Sequence, residues 1–147
     1  MTPTTRRIRT GLAALALTAG TVLALPTTAN AAPARPTAPP PAADGYFYAW
    51  LHAGQNGTSC RWSGNSTNWN SGCSLRNQAS SVLNFGYEET YDDVRMYWGL
   101  SYGGASYCVA RGVYLDNLAN YTFPNNGSGA GQSLNDNISS HKWVTGC

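Results

Sequence analysis

Three kinds of side chain here could do chemistry: the histidines His52 and His141, the carboxylates Glu88, Glu89, Asp92 and Asp93, and the cysteines Cys60, Cys73, Cys108 and Cys147. A histidine beside a serine is the general-base pairing of acyl transfer, but no G-x-S-x-G turn is present to hold a nucleophile above a sheet. The carboxylates would have to act as a glycosidase pair. Near neighbours on one linker lack the fixed separation across a cleft that glycoside hydrolysis needs, so a solvated connector accounts for them better. Cysteine and histidine together hold zinc when clustered, yet neither C-x-x-C nor H-x-x-x-H occurs. The expectation is therefore a protein that is not an enzyme, with both histidines structural or exposed.

A short β-rich scaffold must position these residues. Val94 to Val109, VRMYWGLSYGGASYCV, opens with Val94, Met96 and Trp98 alternating against Arg95, Tyr97 and Gly99, the period of a half-buried strand. It turns sharply at Gly103-Gly104, where the missing Cβ permits positive φ. Tyr97 and Tyr102 stand five apart, and Gly104 follows two later. At an offset of 47, Trp50 answers Tyr97, Gln55 answers Tyr102, Gly57 answers Gly104, and Phe47 and Ala49 answer Val94 and Met96. Such recurrence in a short chain points to a duplicated unit. Asn77-Gln78-Ala79-Ser80-Ser81 likewise has its counterpart in Asp136-Asn137-Ile138-Ser139-Ser140. From hairpin glycine to second serine the spacing is 24 in the first unit and 36 in the second, which places an insertion at Tyr121 to Gln132, flexible by composition. The repeats run from about 45 to 86 and from about 93 to 146, with no sustained helical period and at most one turn at Leu115 to Ala119.

Residues 1–31 read as a secretory signal peptide: Arg6, Arg7 and Arg9, an apolar run from Gly11 to Leu25, then Ala29-Asn30-Ala31 as the cleavage signal. Secretion to the extracellular space is expected, with no membrane attachment after cleavage. Residues 32–43, APARPTAPPPAA, are a Pro/Ala-rich leader of disordered composition, and residues 44–147 suit one domain. That domain carries five basic residues (Arg61, Arg76, Arg95, Arg111, Lys142) against seven acidic ones, a net charge of −2. With no basic stripe, nucleic acid is not an expected partner. Four cysteines in an exported chain imply disulfides with three conceivable pairings; Cys60–Cys73 and Cys108–Cys147 are expected because each stays inside one repeat. Among the five tryptophans, Trp69 in the polar stretch SGNSTNWNSGCS is expected to be exposed.

The spacing aromatic-x-x-x-x-aromatic-x-Gly resembles the folded hairpin of the βγ-crystallins. Tyr97, Tyr102 and Gly104 match it throughout, and Trp50 and Gly57 match its ends, while Gln55 departs from the central aromatic. The resemblance implies an all-β double Greek-key sandwich of two four-stranded units. It assigns Ser81 and Ser140 to bond the backbone groups that each hairpin leaves without ladder partners. In calcium-binding members the serine region reads N/D-N/D-x-x-S/T-S. Asn135 to Ser140 fits that pattern, making Asn135, Asp136 and Ser139 a candidate Ca²⁺ set. Arg76-Asn77-Gln78-Ala79-Ser80-Ser81 places a cation where the first acid or amide belongs. No cofactor is expected to be required.

The whole layout (signal peptide, Pro-rich lead, one crystallin-like domain, four cysteines) is similar to the secreted bacterial metallopeptidase inhibitors of peptidase inhibitor family I36. The similarity runs from Gly45 to Val144, on GYFYAW, NQASSV, MYWGLSYGG and Cys108-Val109. It implies a monomer whose partner is a secreted, thermolysin-like zinc peptidase, inhibited by a rigid substrate-like loop. Cys108-Val109 would be the inhibitory bond, with Val109 filling the apolar pocket and Arg111 reaching a carboxylate at the enzyme's rim. The competing assignment makes Val109 the start of a core strand that Val113 continues. The insertion is the fallback for the reactive loop. The alternatives in function are a calcium-binding crystallin module, or a carbohydrate- or cell-surface-binding module resting on the aromatic surplus.

Overall fold

The structure is a computed structural model that describes residues 42–147. The expected signal peptide, and the leader up to residue 41, lie outside the described residues. Seven strands follow in order: β1 (Tyr46–His52), β2 (Asn56–Trp62), β3 (Ser81–Phe85), β4 (Asp93–Tyr97), β5 (Ser106–Val109), β6 (Tyr114–Leu115) and β7 (Ser140–Val144). Short 3₁₀ turns occupy Leu100–Tyr102 and Leu118–Asn120. Strand alternation sets the inward face: Phe47 and Ala49 on β1, Val82 on β3, and Val94 and Met96 on β4 are all buried, and most of their chain neighbours are half-covered, with Ser81 and Tyr97 buried at the strand ends.

One sheet has the order β2-β1-β3-β6 and the other β5-β4-β7, all antiparallel. The third segment of each repeat crosses to its partner's sheet, so neither repeat is complete alone. From the second repeat, β6 lies against β3, pairing Val82 with Leu115 and Leu83 with Tyr114. From the first repeat, Ser66 meets His141 through two backbone hydrogen bonds of 2.9 Å. The second sheet thus has three strands and an isolated bridge where a fourth strand was expected. Glycine, serine and asparagine around Ser66 turn the chain away before a ladder can extend.

Cα atoms of the disulfide partners are 6.1 Å apart for Cys60–Cys73 and 5.4 Å for Cys108–Cys147, so each bridge stays within its repeat. Trp69 is fully buried, against the expectation of exposure. Its polar neighbours make the turns, and the Cys60–Cys73 bridge holds the loop over the sandwich. The Trp69 ring stacks on Trp62 at 4.9 Å and packs on Phe47 at 6.1 Å between centroids. Its backbone N–H donates to Ser139 O at 2.9 Å.

The insertion is pinned rather than loose. Phe123 is buried, Thr122 bridges Ser133, and the Trp98 indole N–H donates to Gln132 Oε1 at 2.9 Å. The Asn126 amide accepts from Ser106 N at 2.9 Å and donates to Ser106 O at 3.0 Å, a substitute ladder that covers the open edge of β5.

Candidate functional site

Both folded hairpins are closed by a serine hydroxyl. Ser81 Oγ accepts from Gln55 N at 3.2 Å and donates to His52 O at 2.8 Å. In the second repeat Ser140 Oγ accepts from Tyr102 N at 3.1 Å and donates to Gly99 O at 2.6 Å. The pairs Gln55/Tyr102 and His52/Gly99 both keep the offset of 47, so the repeat read from sequence is also a repeat of hydrogen bonds. Backbone at the two bends is left-handed, with φ of 61° at Gln55, 65° at Tyr102, and 78° at both Gly57 and Gly104. Such bends strand donors and acceptors that the serines then satisfy. Trp50 stacks on Tyr48 at 5.5 Å, while Tyr97 and Tyr102 pack at 5.7 Å with Lys142 Nζ over both rings. Ser140→Ala should lower stability by about 2 kcal/mol, since Gly99 O and Tyr102 N lose their partner in a part-buried place. Chemical denaturation of wild type and variant measures the difference.

The two serine-bearing loops cross-pair. Asn77 N donates to Ile138 O at 2.9 Å and Asp136 N to Ala79 O at 3.1 Å. Here Ser139 and Asp136, two of the three candidate calcium residues, bond to neighbouring side chains through their oxygens. Ser139 is buried, its hydroxyl donating to Asn77 Oδ1 at 3.0 Å and facing Arg76 Nε at 3.4 Å. The Arg76 guanidinium places a fixed positive charge beside the Ser139 oxygen. Asp136 binds its neighbour's amide, Asn135 Nδ2, at 2.7 Å. The Ser139 oxygen is thus committed, and Asp136 is the one carboxylate of the set, where a hard divalent cation takes six or more oxygens. Among the described residues the one grouping of three metal-capable side chains is Asp93, Cys108 and Cys147, and its two sulfurs are tied to each other.

The expected inhibitory segment divides in two. Val109 is buried at 1% exposure, paired with Val94 in the core ladder, so it is not available to an enzyme pocket. Alternation explains this: Cys108 faces outward to reach Cys147, which turns Val109 inward. Arg111 already has carboxylate partners within the domain. Its Nε lies 3.2 Å from Asp92 and its terminal nitrogen 3.4 Å from Glu88, while its backbone N–H donates to Asp93 Oδ1 at 2.8 Å. Asp93 Oδ2 also accepts from Cys147 N at 2.7 Å. Three of the four acids, Glu88, Asp92 and Asp93, therefore hold other parts of the chain, more than the solvated connector expected of them.

Next in the chain, Ala110–Val113 forms a tight turn that presents the side chain Val109 cannot. Val113 N donates to Ala110 O at 3.0 Å, Gly112 has φ of 76°, and Val113 is 37% exposed rather than part of the core. Asn84, which sequence reasoning passed over, holds this turn from beneath. Its backbone exchanges hydrogen bonds with Gly112 N at 2.8 Å and Val113 O at 3.1 Å. The buried Asn84 amide donates to Asp92 O at 2.8 Å and Val109 O at 3.0 Å, and its Oδ1 accepts from Gly86 N at 3.1 Å. An asparagine inside the apolar run SVLNF was the available signal, because a buried amide requires partners.

His141 is a third buried polar centre. The Trp69 indole N–H donates to its Nδ1 at 2.8 Å, and its Nε2 lies 3.1 Å from Gly64 O, so the proton sits on Nε2. Desolvation by burial pushes its pKa down to about 4, against a smaller opposing effect of the Gly64 carbonyl. It has no serine or carboxylate partner and serves as a neutral strut between the sheets.

Solved βγ-crystallin structures resemble about two thirds or more of the chain. One, from work on the evolution of the eye lens βγ-crystallin domain fold, has a TM-score of 0.54 at 20% identity and covers 74% of this chain and 93% of its own. A βγ-crystallin from Ciona intestinalis has a TM-score of 0.51 at 13% identity, covering 67% of this chain and 99% of its own. A βγ-crystallin from an archaeon has a TM-score of 0.50 at 16% identity, covering 67% and 96%. No family model and no curated protein matches the sequence. The likeness shows the fold: an all-β, βγ-crystallin-type double Greek key with two disulfides.

Proposed function

We propose that this chain is a secreted inhibitor of a thermolysin-like zinc metallopeptidase, as its resemblance to peptidase inhibitor family I36 implies, and that the reactive segment is the turn Ala110–Val113. The observation that carries the assignment is Val113: an exposed, bulky apolar residue on a turn fixed at every side. The Cys108–Cys147 bridge, Arg111 on Asp92 and Glu88, and Asn84 beneath all restrain that turn before any partner arrives. Rigid presentation lowers the ordering cost of association, and a turn this tight resists being drawn into the extended form that cleavage requires. Arg111 acts here as a clamp, and the enzyme contact is apolar. The secreted chain, titrated into a thermolysin-like peptidase, should suppress hydrolysis of a peptide substrate progressively. Hydrolysis at the control level in molar excess of the chain overturns the assignment.

A calcium-binding role has less support, because Arg76 and the committed Ser139 hydroxyl occupy the place where the resemblance puts ligands. Adding Ca²⁺ should leave the thermal midpoint unchanged, since a cation bound only by the native state would raise it. An upward, saturable shift contradicts this reading.

A further inference from the structure

On the side of the domain away from the hairpins' closing serines, four separate segments leave a cleft of about 350 Å³. Its walls are Gly45 before β1, Ser63 to Asn65 after β2, Glu89 and Tyr91 in the linker between repeats, and Trp143 on β7. This volume lies in the range of small-ligand sites. Its floor is preformed. A Cβ on Gly86 would come within 2.6 Å of the Trp143 ring, so the indole rests directly on that glycine's backbone. Asn65 Oδ1 accepts from Trp143 N at 2.8 Å and ties the loop after β2 to the same strand.

Above this floor the polar groups are unspent. Among the described residues, Ser63, Glu89 and Tyr91 make no side-chain hydrogen bond or ion pair, although Glu88 beside them is held by Arg111. Tyr91 is 58% exposed and stacks on no other ring. The Asn65 amide nitrogen likewise has no acceptor in the domain, its oxygen alone being used. We infer that this cleft binds a neutral saccharide. A pyranose has an apolar face that packs on an aromatic ring and a rim of hydroxyls that donate and accept. Trp143 and Tyr91 offer the rings, Glu89 accepts from hydroxyls, and Asn65 and Ser63 donate to them. The sole charge at the cleft is the Glu89 carboxylate, so uronic-acid and sulfated sugars are repelled. None of the cleft's lining residues belongs to Ala110–Val113, although Glu89 and Tyr91 share a linker with Glu88 and Asp92, which hold Arg111.

Calorimetric titration of the full secreted chain with tetrasaccharides of glucose, mannose, galactose and N-acetylglucosamine tests this, with oligogalacturonate and choline as the contrasting probes. At least one neutral saccharide should bind saturably, and oligogalacturonate should not. Tyr91→Ala and Glu89→Gln are both surface changes, and each should weaken that binding by about tenfold, or about 1.4 kcal/mol, while the thermal midpoint stays put. Absence of heat with every neutral saccharide overturns the inference. So does binding that both variants leave intact, or saturable binding of choline alone, which would make the cleft an aromatic and carboxylate site for a cation.

Discussion

Acidification from pH 6.5 to 4 should remove about 3 kcal/mol of stability through His141 alone. In the unfolded chain this imidazole gains its proton near the ordinary histidine value, whereas in the fold it stays neutral until pH is near 4. Between those values the unfolded state binds more protons, so stability falls as pH falls, and the loss levels off below the folded pKa. Geometry gives the cause. Nδ1 is the acceptor for the Trp69 indole, and a proton placed there would set two donors against each other. Nε2 is already turned to the Gly64 carbonyl. Around the ring lie Phe47 and Trp62, with centroids at 5.0 Å each, and Trp69 at 5.8 Å, which shut out the water that would hydrate an imidazolium. Denaturation measured across this pH window should show a steep slope in wild type and a shallower one in His141→Gln. An equal slope in the variant, or an NMR titration of His141 near 6.5, contradicts the assignment.

How far sequence reaches into this molecule depends on whether a feature is local. Tyr97, Tyr102 and Gly104 are legible because a folded hairpin is made of its own few residues, and an offset of 47 repeats it at Trp50 and Gly57. Ser81 and Ser140 follow from the same logic: a bend that strands backbone groups needs a nearby hydroxyl. Pairing of the cysteines follows from the repeats. The burial of Trp69 is not legible locally because its surroundings in the chain are polar, and only the distant Trp62, Phe47 and His141 enclose it. The inward face of Val109 also has a signal in the sequence. By the same offset Cys60 corresponds to Tyr107, not Cys108, so Cys108 and Cys60 face opposite sides and Val109 turns inward. The bridge between Ser66 and His141 had no local signal, since one pair of backbone bonds leaves no periodic trace.

The inhibitor assignment rests on one exposed side chain, and replacing it should produce the largest functional change. Val113→Asp puts a carboxylate where an apolar pocket must receive a hydrocarbon. Desolvating that charge without a partner should weaken inhibition by about a hundredfold or more, equivalent to about 3 kcal/mol. Val113→Leu keeps the hydrocarbon and should keep inhibition within about tenfold. Neither change touches the core, because Val113 contributes its backbone, not its side chain, to the bonds with Asn84 and Ala110. Both variants should therefore retain the wild-type thermal midpoint. Val109 is a poor site for this comparison, since emptying a buried position would destabilise the sandwich regardless of any inhibitory role.

The direct test is a side-by-side titration of a thermolysin-like peptidase with the wild-type chain, Val113→Leu and Val113→Asp, each checked for an unchanged midpoint. The account predicts strong suppression of hydrolysis by the first two and almost none by the third. Equal inhibition by all three would contradict it and move the reactive surface away from Ala110–Val113.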